Sequence, residues 1–86
     1  MLEVRETWYK GSLGSIYTNY EEELEVTKEC GIIFDDVAPE DALRYRTDEL
    51  IEEINHYGLE AKVTIDCEDG IFIELCGTNE FICLEV

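Results

Sequence analysis

The stretch TNYEEELEVTKECG, Thr18 to Gly31, reads in two ways, and the choice decides how many helices cover the sheet. As a helix, Asn19 followed by Glu22 three residues on is a variant of the capping box, placing a side-chain acceptor at the orphan amides. Glu21, Glu22 and Glu23 then occupy the first turn, where the positive end of the helix dipole favours carboxylates. Lys28 lies near the other end, Gly31 stands where a left-handed stop belongs, and Tyr20, Leu24 and Thr27 recur at i, i+4 and i+7. This predicts a short helix over 20–30. Leu24 and Val26 also alternate, so a strand is the alternative.

Working outward, LEVRETWY places Leu2, Val4 and Trp8 on one side of a strand, with Glu6 the exception, and KGSLGS after it is a turn or loop. On the other flank, GIIFDD is a short buried strand ending in acid. PEDALRYRTDELIEEINHYG is a helix of about five turns. Pro39 suits its first position, Glu40 and Asp41 its first turn, and Gly58 its stop. Leu43, Leu50, Ile51, Ile54 and Tyr57 form its apolar stripe, and Thr47 could cap a second piece after a break.

AKVTIDC, IFIELC and FICLEV are three further strands. Matching their aliphatic faces sets Cys67 opposite Ile71, across a Glu68-Asp69-Gly70 loop with Gly70 left-handed. It also sets Leu75 opposite Ile82 and Ile73 opposite Leu84. The expected fold is therefore α+β, one domain over 1–86. Two helices pack on an antiparallel sheet with a C-terminal three-stranded meander, in the order β-α-β-α-β-β-β.

Eighty-six residues give one small core, burying only roughly 60% of the surface exposed by the unfolded chain. The 45% hydrophobic content and nine aromatics are those of a folded protein rather than an acidic tail. Charge is the outlier. Six Lys and Arg stand against twenty-two Asp and Glu, a formal net charge of −16. Self-repulsion on that scale opposes compaction, whereas solubility needs a net charge of only about 2–8. The excess excludes direct nucleic-acid binding through a basic footprint, and partners selected by charge should be basic. Adaptation to molar salt fits four cysteines and many large aliphatic residues poorly. MLEVRETWYKG has no apolar run and no segment approaches the roughly 20 residues of a membrane span, so a cytoplasmic location with free thiols is expected.

Catalytic and metal chemistry find little support. Cys30, Cys67, Cys76 and Cys83 lack the paired close spacing of zinc ligands. The expected register puts Cys67 on the aliphatic face and Cys76 and Cys83 on the other. There they sit diagonally, near or beyond the usual disulfide span. No metal and no cofactor is expected. His56, the only histidine, follows Glu52 and Glu53 and suits a surface ion pair better than a catalytic base. DCEDG is a hairpin turn rather than a calcium loop, because an EF-hand with its glycine at Gly70 would start at Ile65. Carboxylate pairs at hydrolase-like separation arise by chance in so acidic a chain, and one small sheet offers no deep cleft. The expectation is a protein that is not an enzyme.

Surface chemistry remains. Tyr17 and Tyr20 adjoin the acidic run, where tyrosine would supply rigid contact area. Phe72 and Phe81 fall on the sheet face opposite the aliphatic one. Either the N-terminal strand and loop cover that face, or it is an exposed patch rimmed by acid. From Glu21 to Glu60 there are fourteen acids and three bases. Asp48, Glu49, Glu52 and Glu53 form like-charged i, i+4 pairs about 5–6 Å apart at the β-carbons, each destabilising by a few tenths of a kcal/mol. A nucleic-acid strand carries one phosphate per roughly 3.4 Å of rise. The same carboxylates also read as the solvated face of an ordinary helix.

With NYEEELE (19–25) and TDELIEEINHYG (47–58), the chain resembles the small acidic inhibitors made by bacteriophages, among them anti-CRISPR proteins and other nucleic-acid mimics. The resemblance covers size, charge and mixed α/β organisation, with no shared motif, so no family residue is carried over. It implies an inhibitor that binds the basic, nucleic-acid-binding surface of a target, such as a CRISPR effector, and blocks DNA or guide RNA. The residues expected to carry binding are Tyr20, Glu21, Glu22, Glu23, Glu25, Asp48, Glu49, Glu52 and Glu53. The alternative is a structural or regulatory adaptor or homodimer that uses the Phe72/Phe81 sheet face or an edge strand, with acidity serving solubility.

Overall fold

The structure, a computed structural model, describes residues 1–11, 24–67 and 70–86, with 64–67 described by their backbone alone. Alternating apolar residues make the N-terminal segment a strand, β1 (Leu2–Lys10). The stretch that reads both ways is strand from Glu25 to Gly31, with Leu24 described just before it. β2 runs Glu25–Phe34, joining the expected helix end and GIIF into one ten-residue element. Residues 20–23 lie outside the described residues.

The expected helix over 20–30 is thus corrected for 25–30, and the reason is tertiary. Cys30, Ile32 and Phe34 pair with Glu6, Val4 and Leu2 of β1, and β-branched Val26, Thr27, Ile32 and Ile33 suit a pleated surface. That ladder outweighs local helix signals worth a few tenths of a kcal/mol apiece. Gly31 is no left-handed stop, since its φ is not positive. A Cβ there would meet Glu3 Oε1 at 2.8 Å, so the absent side chain makes room for Glu3. Beyond Phe34 the chain turns at Asp36, whose φ of 56° is one that Asp tolerates.

The helix α1 (Pro39–His56) is as long as its pattern indicates, with Pro39 at its start and Glu40 and Asp41 in its first turn. It does not break at Thr47. The Thr47 hydroxyl donates to the Leu43 carbonyl at 2.7 Å, satisfying a buried polar group inside the helix instead of capping a new one. Gly58, with φ 82°, stops it as expected. The buried face is Ala42, Leu43, Thr47, Leu50 and Ile54. Tyr57 leaves the expected stripe, because it is already outside the helix as C-cap and is 74% exposed.

β3 (Glu60–Cys67), β4 (Gly70–Cys76) and β5 (Glu80–Glu85) form the meander. Its registers differ from expectation, and beyond Val63 so does the alternation of β3. Ala61 and Val63 pair Leu75 and Ile73 of the aliphatic set, whereas Ile65 pairs Phe72 and Asp66 pairs Ile71. Ile65 and Cys67 thus fall out of step with that set. Cys67 pairs Gly70, and Val63 pairs Ile73, with the odd residue, Thr64, absorbed as a bulge within β3. Gly70 is consequently a strand residue without positive φ. Between β4 and β5, Ile73 opposes Ile82 and Ile71 opposes Leu84, a shift of two that leaves every side chain on its expected face. The turn sets this register. Thr78 Oγ1 donates to the Leu75 carbonyl at 2.8 Å and accepts from the Glu80 amide at 3.2 Å, while Gly77 takes φ 82°.

The five strands form one antiparallel sheet in the order β2-β1-β5-β4-β3, so β1 joins the meander at β5. The two-helix α+β expectation is corrected accordingly: among the described residues one helix packs on a five-stranded sheet, in the order β-β-α-β-β-β. Val4, Ile71, Ile73, Leu75, Ile82 and Leu84 meet Ala42, Leu43, Leu50 and Ile54 to make the core. On the other face Phe81 is 1% exposed and stacks on Tyr9 with centroids 5.0 Å apart, while Phe72 is half-buried at 6.2 Å. The Phe72/Phe81 face is therefore not an open apolar patch. Cys83 is buried there, directly opposite Phe72. Cys76 lies four residues further along β4, about 13 Å at strand rise, which separates the two thiols further than expected. No helix among the described residues is long and apolar enough to cross a membrane.

Candidate interaction surface

Because α1 turns 100° per residue, seating Leu43, Thr47, Leu50 and Ile54 on the sheet leaves Asp48, Glu49, Glu52 and Glu53 facing outward, all four exposed. No lysine or arginine occurs between Thr47 and Gly58. The bases preceding that run are engaged: Arg44 Nη2 contacts Asp41 at 3.5 Å, and Arg46 contacts Glu6 and Glu49. Glu49 is the one carboxylate of the four with an internal partner, Arg46 Nη1 at 3.0 Å. Glu49, Glu52, Glu53, His56 and Tyr57 line a shallow depression of about 350 Å³. The expected His56 ion pair is not formed among the described residues. Its ring instead lies edge-on to Tyr57, centroids 5.8 Å apart.

Glu25, expected on a second helix, does not join this face. It is exposed at the start of β2, opposite Lys10. Tyr20, Glu21, Glu22 and Glu23 lie outside the described residues. The structure thus brings together the C-terminal half of the set, on α1, and places Glu25 on an edge strand.

What the sequence reading left unexplained is Glu6, the most deeply buried charged side chain among the described residues. Glu6 is 0% exposed, on the helix-facing side of β1, between Cys30 of β2 and Leu84 of β5. Arg46 Nε donates to its Oε1 at 2.6 Å, and Trp8 Nε1 donates to its Oε2 at 2.8 Å. The Cys30 thiol lies 3.7 Å from the same oxygen. Lys28 Nζ stands 5.4 Å from the Trp8 ring centroid, adding a second positive charge nearby. Burial pushes the Glu6 pKa upward, but the hydrogen bonds from Arg46 and Trp8 and the charges of Arg46 and Lys28 outweigh it. The carboxyl therefore sits below its ordinary value.

The same surroundings act oppositely on Cys30, whose thiol is pushed up by burial and then by the Glu6 charge. A raised thiol beside a carboxylate is the reverse of an activated nucleophile. Glu6, with both oxygens held, is a poor proton acceptor. The cluster joins sheet to helix and offers no catalytic arrangement. A charged residue in an apolar alternation, with arginines on the neighbouring helix, was the signal that pointed to it.

Cys30, Cys76 and Cys83 are free thiols, and no group of three or more His, Cys, Asp or Glu among the described residues is arranged to hold a metal ion. No protein-family model, curated protein or solved structure matches this chain.

Proposed function

We propose that the chain is a cytoplasmic acidic protein ligand that occupies the basic surface of a nucleic-acid-binding protein, as bacteriophage inhibitors of the anti-CRISPR kind do. The observation that carries this reading is the outer face of α1: four exposed carboxylates on an unbroken helix with no base among them. Their neighbours at i, i+4 stand about 5–6 Å apart at the β-carbons, a spacing that a cleft built for phosphates would accept. No chemical step is involved. The charge accelerates encounter with a basic target, and the bound protein excludes DNA or guide RNA by occupancy. Asp48, Glu52 and Glu53, which lack internal cations, would carry most of the contact, with Glu49 shared with Arg46.

The test is capture from nuclease-treated bacterial lysate with the tagged protein, eluted in stepped salt. A nucleic-acid-binding protein eluting at moderate salt, displaced by added DNA and not captured by the Glu49→Gln, Glu52→Gln, Glu53→Gln variant, is the expected result. Equal capture by that variant, or a partner that survives molar salt, removes the reading. In the adaptor alternative the sheet face would bind through the half-buried Phe72, since Phe81 is buried, or an edge strand would serve instead.

A further inference from the structure

Among the described residues the sheet has two outer strands, β2 and β3, and the fold leaves them in different states. α1 packs on β3, whose ladder is also interrupted by the bulge at Thr64. β2 makes its extensive contacts with β1, and α1 has no comparable contact with it. The bulge at Thr27 protects only the beginning of β2, while Lys28 to Phe34 pairs with β1 without interruption. The outer backbone donors and acceptors of that run are a ready template for another strand.

Two further features belong to the same run, on the face turned away from α1. Ile33 is 52% exposed, an apolar contact on an edge strand. The Glu3 side chain lies across Gly31, with Oε1 2.8 Å from where a Cβ would stand, so a carboxylate of β1 reaches over the outermost strand. Glu29, on that same face, is already held by Arg5 at 3.2 Å. The Glu3 side chain is exposed and makes no hydrogen bond or ion pair among the described residues.

We propose that the edge of β2 over Lys28–Phe34 receives an extended, lysine- or arginine-bearing segment of another protein as a sixth strand. Main-chain hydrogen bonds would supply affinity, Glu3 would meet a basic side chain opposite Gly31, and Ile33 an apolar one. A second copy of this chain is the poorer occupant. It brings another net charge of −16, and it places two sets of Glu3 and Glu29 along one seam. This surface is separate from the outer face of α1 and does not depend on the role proposed for it.

The experiment uses the full chain, isotope-labelled, with an eight-residue peptide alternating lysine and valine, and reads amide hydrogen exchange residue by residue. At peptide ten times its dissociation constant, exchange at the outward-pointing amides of Lys28–Phe34 should slow about tenfold. The same peptide N-methylated at alternate residues should fail to protect them, and Glu3→Gln, an exposed change that spares the core, should weaken binding severalfold. Absence of protection, equal binding by the N-methylated peptide, or protection confined to α1 would overturn the proposal. Protection that grows with protein concentration alone would assign the edge to a second copy instead.

Discussion

Two groups of carboxylates in this molecule meet opposite circumstances. Glu6 is buried at the junction of sheet and helix, with a guanidinium, an indole N–H and a thiol around it. Asp48 stands in water one helical turn before Glu52, with Glu53 beside it, and none of the three has a cation partner among the described residues. Desolvation explains the difference. A buried charge is tolerated only when paired and hydrogen-bonded, whereas exposed charges repel weakly and can accumulate. Arg46 is where the two meet, since one arm holds Glu6 and another reaches Glu49. Glu6, the one buried carboxylate among the described residues, therefore bears on folding, and the exposed ones are free to be used on the surface.

The largest expected effect breaks the buried side of this contrast. Arg46→Met leaves Glu6 charged and unpaired, and should cost about 3–5 kcal/mol in urea unfolding. Glu6→Leu combined with Arg46→Met should recover most of that, because two apolar residues replace a pair whose desolvation was costly. A double variant as unstable as the single one would assign the loss to packing rather than to charge.

Next comes acidity. The Glu6 carboxyl lies below its ordinary value of 4.5 in the folded protein, so it takes up a proton less readily folded than unfolded. Its contribution is present above the unfolded value and is lost as pH falls through the folded one. Thermal melts of the protein and of Glu6→Gln should differ most at neutral pH and converge in the acid range below 4.5. A constant gap would contradict this.

Salt separates the two groups more gently. Raising ionic strength from about 0.02 to 0.5 M shortens the screening length to a few ångströms and relieves repulsion among exposed carboxylates, while the buried pair is screened little. The melting temperature should rise modestly. A fall would mean that surface ion pairs such as Arg5–Glu29 matter more than the net charge. Smallest of all is the effect of Glu49→Gln, Glu52→Gln, Glu53→Gln on stability. It should be neutral to slightly favourable, because the like-charged i, i+4 pairs disappear. A clear destabilisation would show that the α1 acids serve the fold.

How much of this was legible beforehand follows from which interactions are local. The long helix, its Pro39 start, its Gly58 stop and most of its buried stripe are written within a few residues of one another. So are the three meander strands and the faces of β4 and β5, because alternation is a property of the strand itself. The bulge at Thr64, by contrast, takes β3 beyond Val63 out of the expected alternation. Glu6 was visible as an irregularity, but its partner lies forty residues away and nothing local names it.

The sequence by itself determined the charge, the acidic outer face of α1, the aliphatic face of the meander and the absence of any close-spaced ligand pair. Only the tertiary structure decided the rest. Val26 to Cys30 carries local signals for either state, and pairing along β1 converted it to strand. The β4–β5 register moved by two because the Thr78 turn, rather than the apolar pattern, sets the alignment, and a shift of two conserves faces. The β3–β4 register moved by one from the hairpin loop up to the Thr64 bulge and by two beyond it. Phe81 is covered and the Lys28–Phe34 edge is open for the same reason: exposure belongs to the assembled sheet, and no run of residues specifies its own neighbours.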